Sequence, residues 1–275
     1  MTINTKASIY RSKLPHYDRP SARVVIIGDK QPEGAHKVAE VAYLAQSVDA
    51  DAIITCGDNS LHATDFEHLV GDYYEKPIMA VPGNHDEEDL TADAYQSYFY
   101  KHLPANGAKA DYLTWHKGFG DCLRIFGLDS NFVWQDAENC ENTSAEQQAW
   151  LLEQTAAAKE PWLFAVCHHP PYSNGYHGST VGMQWGSSIG QPFAKLSGVF
   201  SGHEHHYERI MMGGLPYFVN GTGGSPLVAI TETTIKPIAQ IVEFGIIIID
   251  ANWGECSVKF VNLNGCVRDR IVFTR

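Results

Sequence analysis

The 275-residue chain is 44% hydrophobic and 19% charged, the composition of an ordinary globular protein able to bury a sizeable core. Its net charge of −12, from 20 Lys and Arg against 32 Asp and Glu, excludes a nucleic-acid or anionic-membrane partner held by non-specific attraction. The N-terminal segment lacks the apolar core of a secretory signal, and the longest apolar stretch, around Ile246–Ile249, is too short to span a bilayer.

In chain order, residues 1–22 read as an N-terminal extension and residues 23–275 as one domain. Arg23–Gly28 is a short β-branched run, followed over His36–Val48 by Val38, Val41, Ala42, Ala45 and Val48 at helical spacing. Ala52–Cys56 and Ile78–Val81 are further apolar runs, with helices expected over Asp65–Tyr74 and Ala92–Tyr100. This alternation predicts parallel β-α-β units, in which ligands gather beyond the carboxyl ends of the strands. A run over Cys122–Leu128 precedes a helix expected to open at Ser144, with Glu146 and Gln147 in its first turn, and to end near Pro161. Trp162–Cys167 and Gly198–Phe200 are the next strands. Beyond Arg209 the pattern turns to hairpins, with strands expected over Leu215–Val219, Phe244–Asp250, Glu255–Val261 and Val267–Phe273. Six cysteines, none in a CxxC pair, suit a reduced cytoplasmic protein.

Chemistry concentrates where the apolar runs end. IIGDKQ (26–31), TCGDNS (55–60), VPGNHD (81–86), VCHHPP (166–171) and SGHEHHYER (201–209) supply Asp29, Asp58, Asn84, His168, His203 and His205. Oxygen and imidazole donors of this kind suit divalent ions of the Mn, Fe and Zn type, whereas soft thiolate sites look different. Two such ions sharing a carboxylate are a known device for hydrolysing phosphate esters, and their charge reverses the local sign of an acidic protein. Each residue also has a plainer reading: Asp29 and Asp58 as turn or cap carboxylates, Asn84 as a turn residue, a lone histidine as core. Five ordered segments, each closing an apolar run, favour the metal-binding reading. Pro170 and Pro171 end their strand and project His168, with His169 packing behind it. His203 and His205, two residues apart, share a face if the chain is extended there, and His206 is then turned away.

The order GD, GD, GNHD, H-x-P, GHxH resembles the calcineurin-like metallophosphoesterase superfamily, and GHEHHYER is similar to its purple acid phosphatase branch. The resemblance covers roughly residues 23–225. It implies a four-layer α/β/β/α sandwich with Asp58 bridging two metals. Asn84, His168 and His203 would hold one ion, and Asp29 with His205 the other. Two positions depart from the family pattern. Leu61 stands where purple acid phosphatases carry a tyrosine, so no tyrosinate–iron colour is expected. Gln31 stands where many members carry histidine; its amide oxygen is the expected ligand, with His62 as the competitor.

The implied reaction is hydrolysis of a small phosphate ester, a phosphomonoesterase first and a phosphodiesterase or nucleotide pyrophosphatase second. His85, beside Asn84 and steadied by Asp86, and His177, nine residues after His168, are the candidate catalytic acids; a solvated loop is the plain reading of His177. Tyr172, Tyr176, Trp185 and Tyr207 are candidates to stack on a substrate ring, or are ordinary packing. A non-catalytic docking scaffold is the rival from another class, and a metal-dependent amidohydrolase, which has no use for GNHD, a weaker one.

Overall fold

Alternation gives each strand two faces, and the computed structural model, which describes residues 20–30, 37–59, 77–89, 113–131, 137–230 and 233–275, shows where each face goes. The first half contains β1 (Ala22–Ile27), α1 (Val38–Ser47), β2 (Ala52–Thr55), β3 (Ile78–Ala80), α2 (Asn84–Asp89), β4 (Trp115–Phe119) and β5 (Leu123–Gly127). Then follow α3 (Ala137–Ala157), β6 (Trp162–Val166), β7 (Gly198–Ser201), β8 (Tyr207–Met212), β9 (Leu215–Asn220) and β10 (Pro237–Ile241). The chain closes with β11 (Gly245–Ala251), β12 (Glu255–Asn262) and β13 (Val267–Thr274).

The strands form two sheets, ordered β13-β12-β11-β1-β2-β3 and β10-β8-β9-β7-β6-β5-β4. β1, β2 and β3 are parallel, as are β5, β6, β7 and β9, while the hairpin strands run antiparallel at the flanks. In β1, Val24 and Ile26 point into the core between the sheets, and Val25 and Ile27 point out towards α1. In β6, Phe164 and Val166 face inward while Leu163 and Ala165 pack outward with Trp150 and Leu151 of α3. The layers are therefore helix, sheet, sheet, helix, the α/β/β/α sandwich. Burying each large apolar side chain contributes about 1.5–3 kcal/mol, so the aromatic centre of Phe164, Phe200 and Phe218 is a main source of stability. Polar ties also cross between sheets: the Trp162 indole donates to the Asn252 carbonyl (2.6 Å) and the Asn220 amide to the Ile26 carbonyl (3.1 Å).

Three strands escape the sequence pattern. β4 (WHKGF) carries Gly118 and alternates only weakly, β8 begins inside the histidine-rich motif, and β10 begins with a proline on a sheet edge. α3 opens at Ala137, seven residues before the Ser144 start, because the polar first turns carry no apolar periodicity to announce them. The expected helices over 65–74 and 92–100 lie outside the described residues. Among the described residues no helix is long and apolar enough to cross a membrane.

Candidate metal centre

The carboxyl ends of β1, β2, β3, β6 and β7 meet at one edge of the sandwich. Each candidate ligand sits within two to four residues of a strand end, where the backbone leaves the ladder and can turn sharply. Asp29, Asp58 and His203 all adopt left-handed backbone angles (φ 55°, 49° and 67°), an unusual conformation for residues with a Cβ. Such strain costs roughly 1–3 kcal/mol per residue and persists only where the surroundings enforce it. Enforcement is visible: the Asp29 amide donates to the Gly57 carbonyl (3.3 Å) and the Lys30 amide to the Asp58 carbonyl (2.9 Å). The His203 amide donates to both oxygens of the Asp29 carboxylate, at 3.0 Å each. Gly202 permits this approach, since a Cβ there would run into the Asp29 carboxylate.

Asn84 Oδ1, His168 Nε2 and His203 Nδ1 converge in a triangle with sides of 3.0, 3.1 and 3.2 Å. Ligands bonded to one ion at about 2.1 Å in neighbouring positions stand about 3 Å apart, so the triangle has the dimensions of half a coordination shell. Asp58 Oδ1 lies 3.4 Å from His168 Nε2, and Asp29, Asp58 and His168 can bring one donor atom each within 4.8 Å. On the other side, His205 Nε2 faces Asp29 Oδ1 at 3.5 Å. Asp58 thus stands between an Asn84–His168–His203 group and an Asp29–His205 group.

Proton bookkeeping at His168 is decisive. Its Nδ1 lies 2.8 Å from the Cys56 carbonyl, which can only accept, so that nitrogen carries the hydrogen. Burial holds the imidazole well below its ordinary pKa, with His169 adding repulsion, so the ring is neutral and Nε2 presents a lone pair. That lone pair lies near the Asp58 carboxylate, the Asn84 amide oxygen and His203 Nδ1. With Asn84 Oδ1 and His203 Nδ1 beside it, this lone pair belongs to a set of oxygen and nitrogen donors that one cation could bind together. The residues present fit a metal. Burial likewise pushes His203 down to about 2, leaving it a neutral donor. His205 goes the other way: burial opposes protonation, but the hydrogen bond and charge of Asp29 and the Pro226 carbonyl raise it.

The surrounding shell holds residues that sequence spacing does not announce. The Ser130 hydroxyl accepts the amides of His168 (3.2 Å) and His169 (3.0 Å) and bonds His169 Nδ1 (2.9 Å), with the His169 ring packed 4.6 Å from that of His203. Asp86 does not steady His85. Its carboxylate instead accepts the Asn59 amide and side chain (2.7 Å each) and the Gly83 amide (2.8 Å), lacing the loops after β2 and β3 together. Burial pushes Asp86 up to about 7 and neighbouring Lys30 down to about 8, and their mutual attraction opposes both shifts. His85 is exposed and reaches Asp58 through its backbone amide (3.1 Å).

His203 and His205 do share the site, but not by strand alternation. β7 ends at Ser201, and tight bonds from Glu204 N to Gly202 O (2.8 Å) and His206 N to Glu204 O (2.7 Å) coil the segment instead. The left-handed His203 is what turns both imidazoles to the same side. His206 is turned away and fully buried. His177 lies half-exposed with its ring 4.4 Å from His203 and Nδ1 3.6 Å from Glu204. Gln31, Leu61 and His62 lie outside the described residues.

Comparison with known proteins bears on this geometry. Residues 22–207 match the model of the calcineurin-like phosphoesterases. The chain belongs to this family. Among curated relatives, the calcineurin-like phosphoesterase chain is 25% identical over 214 residues to pig tartrate-resistant acid phosphatase type 5, covering 66% of this chain and 61% of that one. The curated relatives it matches are covered over 28% to 73% of their own length. Among solved structures, a dimetal phosphatase from Danio rerio superposes with a TM-score of 0.66 at 10% identity, covering 93% of this chain and 99% of that one. GAP50, described as the anchor in the inner membrane complex of Plasmodium, gives a TM-score of 0.72 at 15% identity, covering 92% of this chain and 88% of that one. Likeness at that identity speaks for the fold, and a phosphoesterase fold alone does not decide catalysis.

Proposed function

We propose that this protein is a phosphoric ester hydrolase, a phosphomonoesterase of small substrates, working with two divalent ions of the Mn, Fe or Zn type. The carrying observation is the convergence of Asn84 Oδ1, His168 Nε2 and His203 Nδ1 at 3.0–3.2 Å from one another inside the protein, with Asp58 Oδ1 3.4 Å from His168 Nε2, the spacing of ligands around one cation. Asn84, His168 and His203 are assigned to one ion, Asp29 and His205 to the other, and Asp58 to both; Gln31 is assigned to the Asp29 side. Bound there, such ions neutralise phosphoryl oxygens and lower the pKa of a water molecule.

The chain's own residues do the rest. Cys56 fixes the tautomer of His168 through its carbonyl, and Pro226 orients His205 in the same way. Ser130 and Asp86 hold the loops that carry the ligands, so the site is organised before substrate arrives. His177, beside His203 and open to solvent, is assigned the proton donor to the leaving oxygen. His85, exposed next to Asn84, is assigned to the phosphoryl oxygens.

Metal analysis of the purified protein together with turnover of p-nitrophenyl phosphate tests this reading. Close to two ions per chain are expected, with turnover that a chelator removes and that His203→Ala lowers by at least about 10³-fold while the chain stays folded. Two bound ions without turnover of any monoester or diester would instead favour a non-catalytic scaffold.

A further inference from the structure

Four aromatic side chains flank or follow the loop after β6, and the structure separates them. Tyr172 packs edge-on against Tyr217 (4.8 Å), Trp185 is buried against Phe193 (5.5 Å), and Tyr207 is buried and stacked on Phe260 (4.3 Å). Tyr176 is different. It is 85% exposed, and its ring stands edge-on 5.1 Å from His177, whose own ring lies 4.4 Å from His203. A metal-site imidazole, the assigned proton donor and an exposed phenol thus form a row leading away from the site.

An exposed tyrosine on a loose loop means little, but this loop is pinned from beneath by two buried glutamates. Glu204 Oε1 accepts the amides of His177 (2.6 Å) and Gly178 (2.9 Å). Glu208 accepts the Asn174 amide (2.9 Å) and side chain (2.5 Å), and the Ser173 hydroxyl (3.3 Å). Asn174 Oδ1 in turn accepts the amides of Thr234 and Ile235 at 2.8 Å each. Gly175 lies so close to Glu204 that any Cβ would strike its carboxylate, so the backbone beside Tyr176 is clamped as well. Bonds to ionised carboxylates are about twice as strong as neutral ones, and the loop holds its shape without help from the Tyr176 ring. A rigid aromatic face with only two side-chain torsions, presented to solvent beside a reaction centre, is suited to stacking on another flat ring.

We infer that Tyr176 is the platform for the leaving group, and that the site prefers phosphate esters whose leaving group carries a planar unsaturated ring. This rests on the phosphoesterase reading and adds the substrate class to it. Stacking a ring on one aromatic side chain is worth roughly a five- to tenfold difference in affinity or more.

The test reads binding as well as turnover. Calorimetric titration of the metal-loaded protein should find phenylphosphonate bound roughly tenfold more tightly than methylphosphonate. Adenosine 5′-monophosphate against ribose 5-phosphate asks whether a ring one sugar away gains the same advantage. Tyr176→Ala should abolish the advantage in at least one pair, and Tyr176→Phe should keep it; which pair responds tells an aryl ester from a nucleotide. The ratio of kcat/KM for phenyl phosphate over glycerol 2-phosphate should fall in parallel if the aryl pair is the responsive one. Equal affinities within both pairs, or advantages that survive in Tyr176→Ala, overturn the platform while leaving the hydrolase reading intact. Failure of every phosphonate and phosphate to bind, with no turnover, overturns both.

Discussion

Two buried polar clusters sit between the strands of the sandwich, and they are wired in opposite ways. In the tie between β8 and β13, Arg209 donates through Nε (2.7 Å) and Nη2 (2.8 Å) to Asp269, and the Tyr207 hydroxyl donates to the same carboxylate (2.7 Å). There, three donors converge on one carboxylate. In the centre at the other strand ends, Asp58 and Asn84 turn oxygens towards a nitrogen lone pair of His168, and Asp29 turns one towards His205. The tie brings hydrogen-bond donors to one acceptor, whereas the centre gathers oxygen and nitrogen donor atoms of the kind that hold a cation. A fold keeps the second kind of cluster when function compensates for the cost of burying so many polar groups together.

The largest effect expected of this contrast is on the tie. Asp269→Ala leaves Arg209 and Tyr207 without their acceptor, and breaking a largely buried ion pair from one side costs about 3 kcal/mol. In calorimetry, that is a fall in Tm of roughly 6–12 °C. Turnover well below the transition should be kept, because Asp269 lies at no strand end of the centre. An unchanged Tm would mean that the bidentate geometry contributes nothing.

The centre should respond in the reverse sense. Manganese or zinc at about a hundred times its Kd should stabilise the native protein by about 2.7 kcal/mol, a rise in Tm of roughly 5–10 °C. Asp58→Asn should remove most of that rise. Without metal, the same variant should be about as stable as the parent, since the new side chain keeps an acceptor oxygen for the His85 amide and adds a donor facing His168 Nε2. If Asp58→Asn instead lowered the metal-free Tm as much as Asp269→Ala does, the Asp58 carboxylate would be a structural tie like that of Asp269 and the contrast would disappear.

Why one cluster was legible in the sequence and the other was not follows from the same wiring. Asp29, Asp58, Asn84, His168 and His203 each close an apolar run, so strand pattern and donor type coincide and the convergence of five strand ends can be anticipated. Arg209 and Asp269 are 60 residues apart and sit within strands, where alternating charge reads as a solvated face. Ser130 follows β5 without any motif, and Glu204 and Glu208 are hidden by the histidines around them. Asp86 was legible as a residue but not in its role, because its partners Asn59 and Gly83 are set by how two loops fold back. The proximity of His203 and His205 was legible, yet the cause was a left-handed turn rather than an extended strand, a distinction that spacing alone does not carry.

The smallest and sharpest test of the tie uses acid. Burial works against ionising Asp269, but the hydrogen bonds from Arg209 and Tyr207 win and hold it below its ordinary value of 3.8. A carboxyl whose folded pKa is depressed contributes stability that is whole above 3.8 and is lost as pH falls through the lower folded value. In metal-free protein, Tm should therefore drop on acidification below 3.8, and Asp269→Asn should make that drop shallower while lowering Tm at neutral pH. The neutral amide keeps one acceptor oxygen for Arg209 or Tyr207, so its loss at neutral pH should be smaller than that of Asp269→Ala. An acid limb of equal depth in Asp269→Asn would place the titrating carboxyls elsewhere, with Glu160, held down by Arg124 against its burial, as the next one to neutralise.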